Sequence, residues 1–275
     1  VDDRTELSGF LTSRRARLRP GDVGLREHGG VRRVAGLRRE ELAAVAGVSI
    51  AHYTRLEQGK GEGVSDEVLA AVGAVLRLDA DEAEYLRRIA RRPPPCPDAD
   101  AVPGVPPGTR HLLDSLVLTP ALLVGRHTQI VGWNRLAAAV LGDFGELPEG
   151  ERTLSHLLFA DPRARELHAD WPGAARAHVA HLRVLCGRFR GDAALAGHIE
   201  GMSGLSPDFA RLWAERLVAR ARSRVWTLRH PSAGSLTLHA ETVALPDAPA
   251  CHGLELFAAE PGSVSERRLR ELAAL

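Results

Sequence analysis

Apolar residues follow two different rhythms along this chain. Up to about residue 90 they recur every three to four positions, the spacing of helices that bury one face. Leu7, Phe10, Leu11 and Leu18 predict a first helix over 6–18. The stretch 36–59, GLRREELAAVAGVSIAHYTRLEQG, predicts two short helices about a tight turn, with Leu42, Ala43 and Ala46 before it and Tyr53 and Leu56 after it. Leu69, Val72 and Leu76 predict a fourth helix capped by Ser65, with Asp66 and Glu67 at its positive end. Ala83, Leu86 and Ile89 predict a fifth, opened by an Asp79–Glu82 capping box. The rhythm then stops: residues 91–108 hold seven prolines in eighteen positions, which excludes a helix or central strand and predicts an extended, semi-rigid spacer.

Beyond the prolines, short apolar runs alternate with turn residues. A helix through Leu112, Leu113 and Leu116 ends before Pro120, and ALLVG (121–125) and TQIVGW (128–133) predict two antiparallel strands around Arg126-His127. WNRLAAAVLG (133–142) predicts a short helix ending in glycine. Over 153–222 the pairs Asp161-Pro162 and Ser206-Pro207 announce helices, each an N-cap followed by proline at the first helical position. Those helices bury Val179, Leu182 and Leu185, then Phe209, Leu212 and Trp213. Strands return at 225–228, 235–245 and 252–257. The expectation is a two-domain chain: an all-α bundle over 1–92, a Pro-rich linker over 93–110, and an α+β domain over 111–275 whose antiparallel sheet carries helices on one face.

The turn at 47–49 has a specific chemistry. Gly47 takes a left-handed conformation that a Cβ would penalise, small Ala43 lets two helices cross closely, and Ser49 stands at an N-cap. These residues resemble the lambda-repressor/Cro-like helix-turn-helix in its xenobiotic-response-element branch, over about the first ninety residues and including the LEQG tail at Leu56–Gly59. In such domains the second helix enters the major groove by its N-terminal half. The resemblance implies that Arg39, Ser49 and Gln58 clamp backbone phosphates and that Ile50, Ala51 and Arg55 read base edges, with His52 beside them and Lys60 at the same face. It also implies an ion pair between Arg15 and Glu57. Arg14, Arg15, Arg17 and Arg19 form a basic face that is either solvated or in contact with phosphate. The long Gly-rich segment 20–33 carries Arg26, Arg32 and Arg33, which either reach the flanking backbone or a minor groove, or stay in a solvent loop.

Charge sharpens this reading. The whole chain carries 36 Lys+Arg against 35 Asp+Glu, but residues 1–60 hold 12 against 8 and the remainder 24 against 27. A basic face on a nearly neutral chain suits a protein that holds one DNA site, not a packaging protein. Three cysteines, Cys96, Cys186 and Cys251, without a C-x-x-C pair, argue against a disulfide framework or structural zinc. No run of about 18 apolar residues is present and VDDRTELSGF has no secretory h-region, so a cytoplasmic setting without membrane insertion is expected.

The segments LLDSLVLTPALLVG, WNRLAAAVLGDF, LLFADPRARELHADW, PDFARLWAE, LRHP..G.LTL and AAEPGS, in that order, are similar to the MmyB-like family of actinobacterial regulators. The family often has His-Asp-Val after RLWAE, where this chain has Arg216, Leu217 and Val218, and its usual basic cluster is interrupted here by Val225-Trp226. The resemblance implies a PAS-like ligand-binding domain after the lambda-repressor-like bundle, with a pocket for a small apolar effector such as a fatty acid. Trp133, Trp213 and Trp226 are candidate walls and Asn134 and Arg211 candidate anchors, although tryptophans also simply fill cores. His178, His181 and His168 lack the cysteine or acidic partners of a metal site, and no G-x-S-x-G or phosphate-loop pattern is present. No cofactor, metal or catalytic activity is expected. The sequence therefore reads as a DNA-binding transcriptional regulator, a homodimer on a double-stranded operator, switched by an apolar ligand. The rivals are a ligand-independent antitoxin- or nucleoid-type DNA binder, and a sensor or enzyme with a vestigial helix-turn-helix.

Overall fold

A computed structural model describes residues 3–26, 36–91, 104–219, 224–245 and 251–275. The chain divides into two units: residues 1–96 with 186–191, and residues 97–185 with 192–275. Most of the proline-rich stretch, and Arg32 and Arg33 of the glycine-rich segment, lie outside the described residues.

The first unit contains α1 (Asp3–Ala16), α2 (Arg39–Ala46), α3 (Ile50–Glu57), α4 (Asp66–Val75) and α5 (Ala80–Ala90). The first helix starts and ends earlier than the apolar spacing suggested; Leu18 follows it in a turn and is still buried. Residues Pro20–Val23 add one 3₁₀ turn. Ser65 caps α4 by accepting from the Val68 amide, and Asp79 and Glu82 form the reciprocal box at the start of α5. Gly36 sits where a Cβ would come within 2.5 Å of the α1 backbone, so the chain can enter α2 there only without a side chain.

Two of the four arginines expected on a basic face are buried instead. Arg14 donates to Glu82 at 2.8 Å and lies 4.6 Å over the Phe10 ring. Arg15 pairs with buried Glu57 at 2.8 Å and donates to the Leu37 carbonyl. Both charges face partners because a guanidinium can leave water only with its hydrogen bonds replaced.

In the second unit α6 (Pro107–Ser115) begins inside the range read as spacer. It leads into β1 (Ala121–Gly125), β2 (Ile130–Trp133) and α7 (Arg135–Leu141). The helical insert follows: α8 (Leu154–Phe159), α9 (Ala164–Leu167), α10 (Trp171–Arg188, whose residues from Cys186 on are assigned to the first unit), α11 (Ala193–Leu205) and α12 (Pro207–Ala214). Then come β3 (Arg224–His230), β4 (Gly234–Val243), β5 (Cys251–Ala258) and α13 (Val264–Ala273). The five strands are antiparallel in the order β2-β1-β5-β4-β3. Ser206 caps α12 with Pro207 at its first position, whereas α9 starts only at Ala164, because Asp161 spends its carboxylate on the Arg163 amide in a preceding turn.

Asn134 shows how tightly the sheet and α7 are tied. Its Oδ1 accepts from the Ala121 and Ala137 amides at 3.1 and 2.8 Å, and its Nδ2 donates to the Leu116 and Thr119 carbonyls, both at 2.8 Å. One side chain thus caps α7, anchors the start of β1 and fixes the chain leaving α6.

The sheet has two covered faces, not one. On the inner face Leu122, Leu228, Leu238 and Phe257 pack with α7 and with Leu269 and Leu272 of α13. On the other, Ala121, Leu123 and Leu254 pack under Leu113 of α6. Neither the helical cover from α6 nor α13 itself was expected from the sequence. The signal for α13 was present: Ser263 accepts from the Glu266 amide and Glu266 accepts from the Gly262 amide, ahead of Leu269 and Leu272.

Arg15→Ala removes the cation from Glu57 Oε1, leaves that buried oxygen with the Thr12 hydroxyl and should destabilise the first unit by about 2–3 kcal/mol. Chemical denaturation followed by circular dichroism measures this; an unchanged midpoint removes the structural role of the pair.

Candidate functional site

The first unit presents one contiguous polar-and-apolar surface built by α2 and α3. Gly47 turns the chain at φ 68°, and Ser49 then caps α3 by accepting from the His52 amide at 3.1 Å. That cap orients the helix so that Tyr53, Leu56 and Glu57 face inward. Ile50, Ala51, His52 and Arg55 are left in solvent, Ile50 with 49% of its surface exposed. Ser49, Gln58 and Lys60 are exposed beside them. Arg39, the expected phosphate clamp on α2, is also paired with Glu57. Its Nε donates to Glu57 Oε2, while Glu57 Oε1 accepts from Arg15 at 2.9 Å and Thr12 at 3.2 Å. The Glu57 hydrogen bond and charge hold Arg39 above its ordinary range, yet half of its side chain remains in water.

The second unit contains a cavity of about 440 Å³ between the inner face of the sheet and the helical insert. Its walls are Leu154, Leu157 and Leu158 of α8, Leu167 of α9, and Val140 and Leu141 of α7. Trp226 and Phe257 form its floor from the sheet, in edge contact at 5.5 Å. The rim carries Asp161, Arg163, Glu166 and Arg229. Burial would push the Asp161 carboxyl up, but bidentate hydrogen bonds from Arg163 outweigh it and hold the group below the usual range. Arg163 is thereby neutralised at the rim.

At the buried side the lining turns polar. His168 lies 4.9 Å from the Trp226 ring, and burial alone pushes it down to about 4. His178 is pushed down to about 3 by burial, then by the Arg224 charge and by His198. Its Nε2 is 2.9 Å from Ser155 Oγ, which also lies 2.8 Å from His198 Nε2. Ser155 is fully buried, so this hydroxyl links two neutral rings and does not face the cavity. Arg224 completes the polar side from β3, 3.7 Å from Glu255. Burial pushes the Glu255 carboxyl up, against the opposing pull of Arg224.

Of the five residues expected to hold a ligand, the structure puts Trp226 on this cavity and the other four elsewhere. Trp133 packs edge-on against Phe144 at 5.4 Å. Asn134 borders a smaller cleft with Val117 and Leu272, but its hydrogen-bonding capacity is used by backbone. Trp213 stacks on Phe209 and is covered by the Arg183 guanidinium at 3.9 Å. Arg211 lies exposed on α12, paired with Asp208 and Glu215. Arg224, His178 and the α8 leucines line the cavity without having been among those five. Strand alternation alone places Arg224 on the same face as Trp226 and Leu228, a signal that was available.

A family model, the MmyB-like transcription regulator ligand binding domain, matches residues 105–272. The chain belongs to this family. The MmyB-like match spans the sheet, the insert and the cavity between them, so the protein is a transcription regulator whose second unit is its ligand-binding domain. Among curated proteins no significant match is found. Among the described residues no helix is long and apolar enough to cross a membrane.

The low position of His168 has a sign that can be checked. Unfolded, the ring binds a proton below its ordinary 6.5, whereas folded it stays neutral down to about 4. Stability is therefore lost as the pH falls between those values; above the window the group has no effect, and below it the loss is complete and adds no further slope. His168→Phe, which keeps the aromatic contact with Trp226, should reduce the slope of stability against pH in that window by about 1.4 kcal/mol per pH unit. Urea titrations of wild type and variant across the window measure it; parallel curves contradict the assignment.

Proposed function

We propose that this MmyB-like regulator binds double-stranded operator DNA as a homodimer on an inverted repeat, and that a small apolar molecule of the fatty-acyl class in the cavity of the second unit sets its affinity. The observation that carries the DNA reading is the exposure of Ile50, Ala51 and Arg55 on the first turns of a capped helix. An apolar pair and an arginine displayed together suit contact with a thymine methyl group and bidentate contact with guanine. Ser49, Gln58 and Lys60 flank them as backbone contacts, and the exposed half of Arg39 adds a charge whose direction Glu57 fixes. The leucine-walled cavity supports the ligand reading, since its size falls in the range of small-molecule sites and its wall is apolar with polar groups gathered on one side. Half-sites must match the two-fold spacing of a dimer, so a ligand that shifts that spacing changes operator affinity without touching DNA.

Fluorescence anisotropy of the full chain on duplex from the promoter beside its own gene, against scrambled duplex and across a salt series, tests the DNA reading. Arg55→Ala should lose about tenfold or more in specific affinity while retaining scrambled binding. Lys60→Ala should weaken both duplexes alike and lower the salt slope by about 0.9. Equal affinity for both duplexes at every salt, unchanged by Arg55→Ala, contradicts sequence reading by α3.

A further inference from the structure

The polar side of the cavity carries a charge that is already answered within the sheet. Arg224 and Trp226 both point to the inner face of β3, and the register sets Arg224 opposite Ala240 of β4 and Ala240 opposite Phe257 of β5. Glu255 lies two residues before Phe257 on that same face, opposite Leu122 of β1 and Thr242 of β4. Because Ala240 is small, the Arg224 side chain can lie across β4, and its Nη2 comes within 3.7 Å of Glu255 Oε1. Glu255 retains only 2% of its surface, and Arg224 lines the cavity. The pair is incompletely satisfied: Arg224 Nε and Glu255 Oε2 are both buried without a hydrogen-bond partner among the described residues.

This arrangement restricts the head group of whatever occupies the cavity. With Glu255 ionised beside it, a ligand carboxylate brought to Arg224 would be the second carboxylate on one guanidinium, and the burial that already pushes the Glu255 carboxyl up makes that pair of like charges costlier still. The other polar groups on that side supply no further positive charge, since His168 and His178 are held neutral by burial. At the rim Arg163 is tied to Asp161, and Arg229 stands in water, where an ion pair contributes little. An uncharged acceptor, by contrast, can accept from the Arg224 guanidinium that lines the cavity without adding a negative charge.

We propose that the cavity selects an amphiphile with an alkyl chain and an uncharged polar head, of the alcohol or primary-amide class, with Glu255 acting through Arg224 to exclude the corresponding carboxylate. This rests on the cavity being the effector site, and it narrows the fatty-acyl class to its neutral derivatives. Glu255 is the specificity-determining residue and Arg224 the group that meets the ligand.

Isothermal titration calorimetry of the full chain with decanol and with decanoate, at about pH 8 where the free acid is ionised, tests it. Wild type should bind decanol about tenfold or more tightly than decanoate. Glu255→Gln, which keeps the shape and removes the charge, should erase or reverse that preference, with circular dichroism confirming that the variant is folded. Decanoate binding to wild type as tightly as decanol overturns the proposal while leaving the cavity as an amphiphile site. A decanol preference that survives in Glu255→Gln overturns the role of Glu255. No binding of either compound removes the effector-site reading itself. If the variant does not fold, the wild-type preference alone still decides whether the head group is neutral.

Discussion

An apolar inner sheet face must be covered, and here α7 and α13 cover only part of it. They cover the face around β1, β5 and β4. The β3 side falls to the helical insert, which is stitched to that edge strand by the His168–Leu228 bridge and by the Ala169 amide donating to Thr227 O. The insert meets the sheet at that seam and leaves the space that Trp226, Phe257 and the α8 leucines enclose. A leucine-lined space forfeits dispersion contacts on one side of every lining atom, which is a standing preference for an apolar occupant.

Buried arginines organise both units, and in each a carboxylate decides what the arginine does. In the first unit Glu57 holds Arg15 in the interior and Arg39 at the surface, so one carboxylate couples the packing of α1 to the face displayed by α2 and α3. In the second, Arg126 lies beside Asp192 at 3.6 Å, with Asp192 also capping α11, and Arg224 lies beside Glu255. Such pairs add little net stability over apolar packing but are costly to break on one side, which gives them value as positioning devices. The histidines around the cavity behave oppositely: burial keeps them neutral, so the polar side is a field of hydrogen-bonding dipoles around one compensated ion pair.

Much of the fold was legible in local signals. Helix caps at Ser49, Ser65, Asp79 and Ser206, the left-handed Gly47 and the apolar runs of β1, β3 and β5 each act within a few residues, and sequence carries such information directly. The cavity was less legible because it is made by residues far apart in the chain. Trp226 stands on it, whereas Trp133 and Trp213 fill core positions; nothing in an isolated tryptophan distinguishes the two uses. Asn134, a candidate ligand anchor in the sequence, gives its amide to four backbone partners, which an isolated asparagine does not reveal. Arg14, expected on a solvated or phosphate-contacting helix face, is instead buried with Glu82 as its partner, sixty-eight residues away.

If the leucine-walled space under the insert is a ligand site and not a packing defect, the full chain should take up an alkyl amphiphile. Native mass spectrometry of the chain incubated with a mixture of such compounds of about twelve to eighteen carbons should then show a one-to-one adduct on wild type, lost when Leu157→Trp fills the space from α8. A chain that takes up no adduct, or a folded Leu157→Trp variant that takes up as much as wild type, contradicts it.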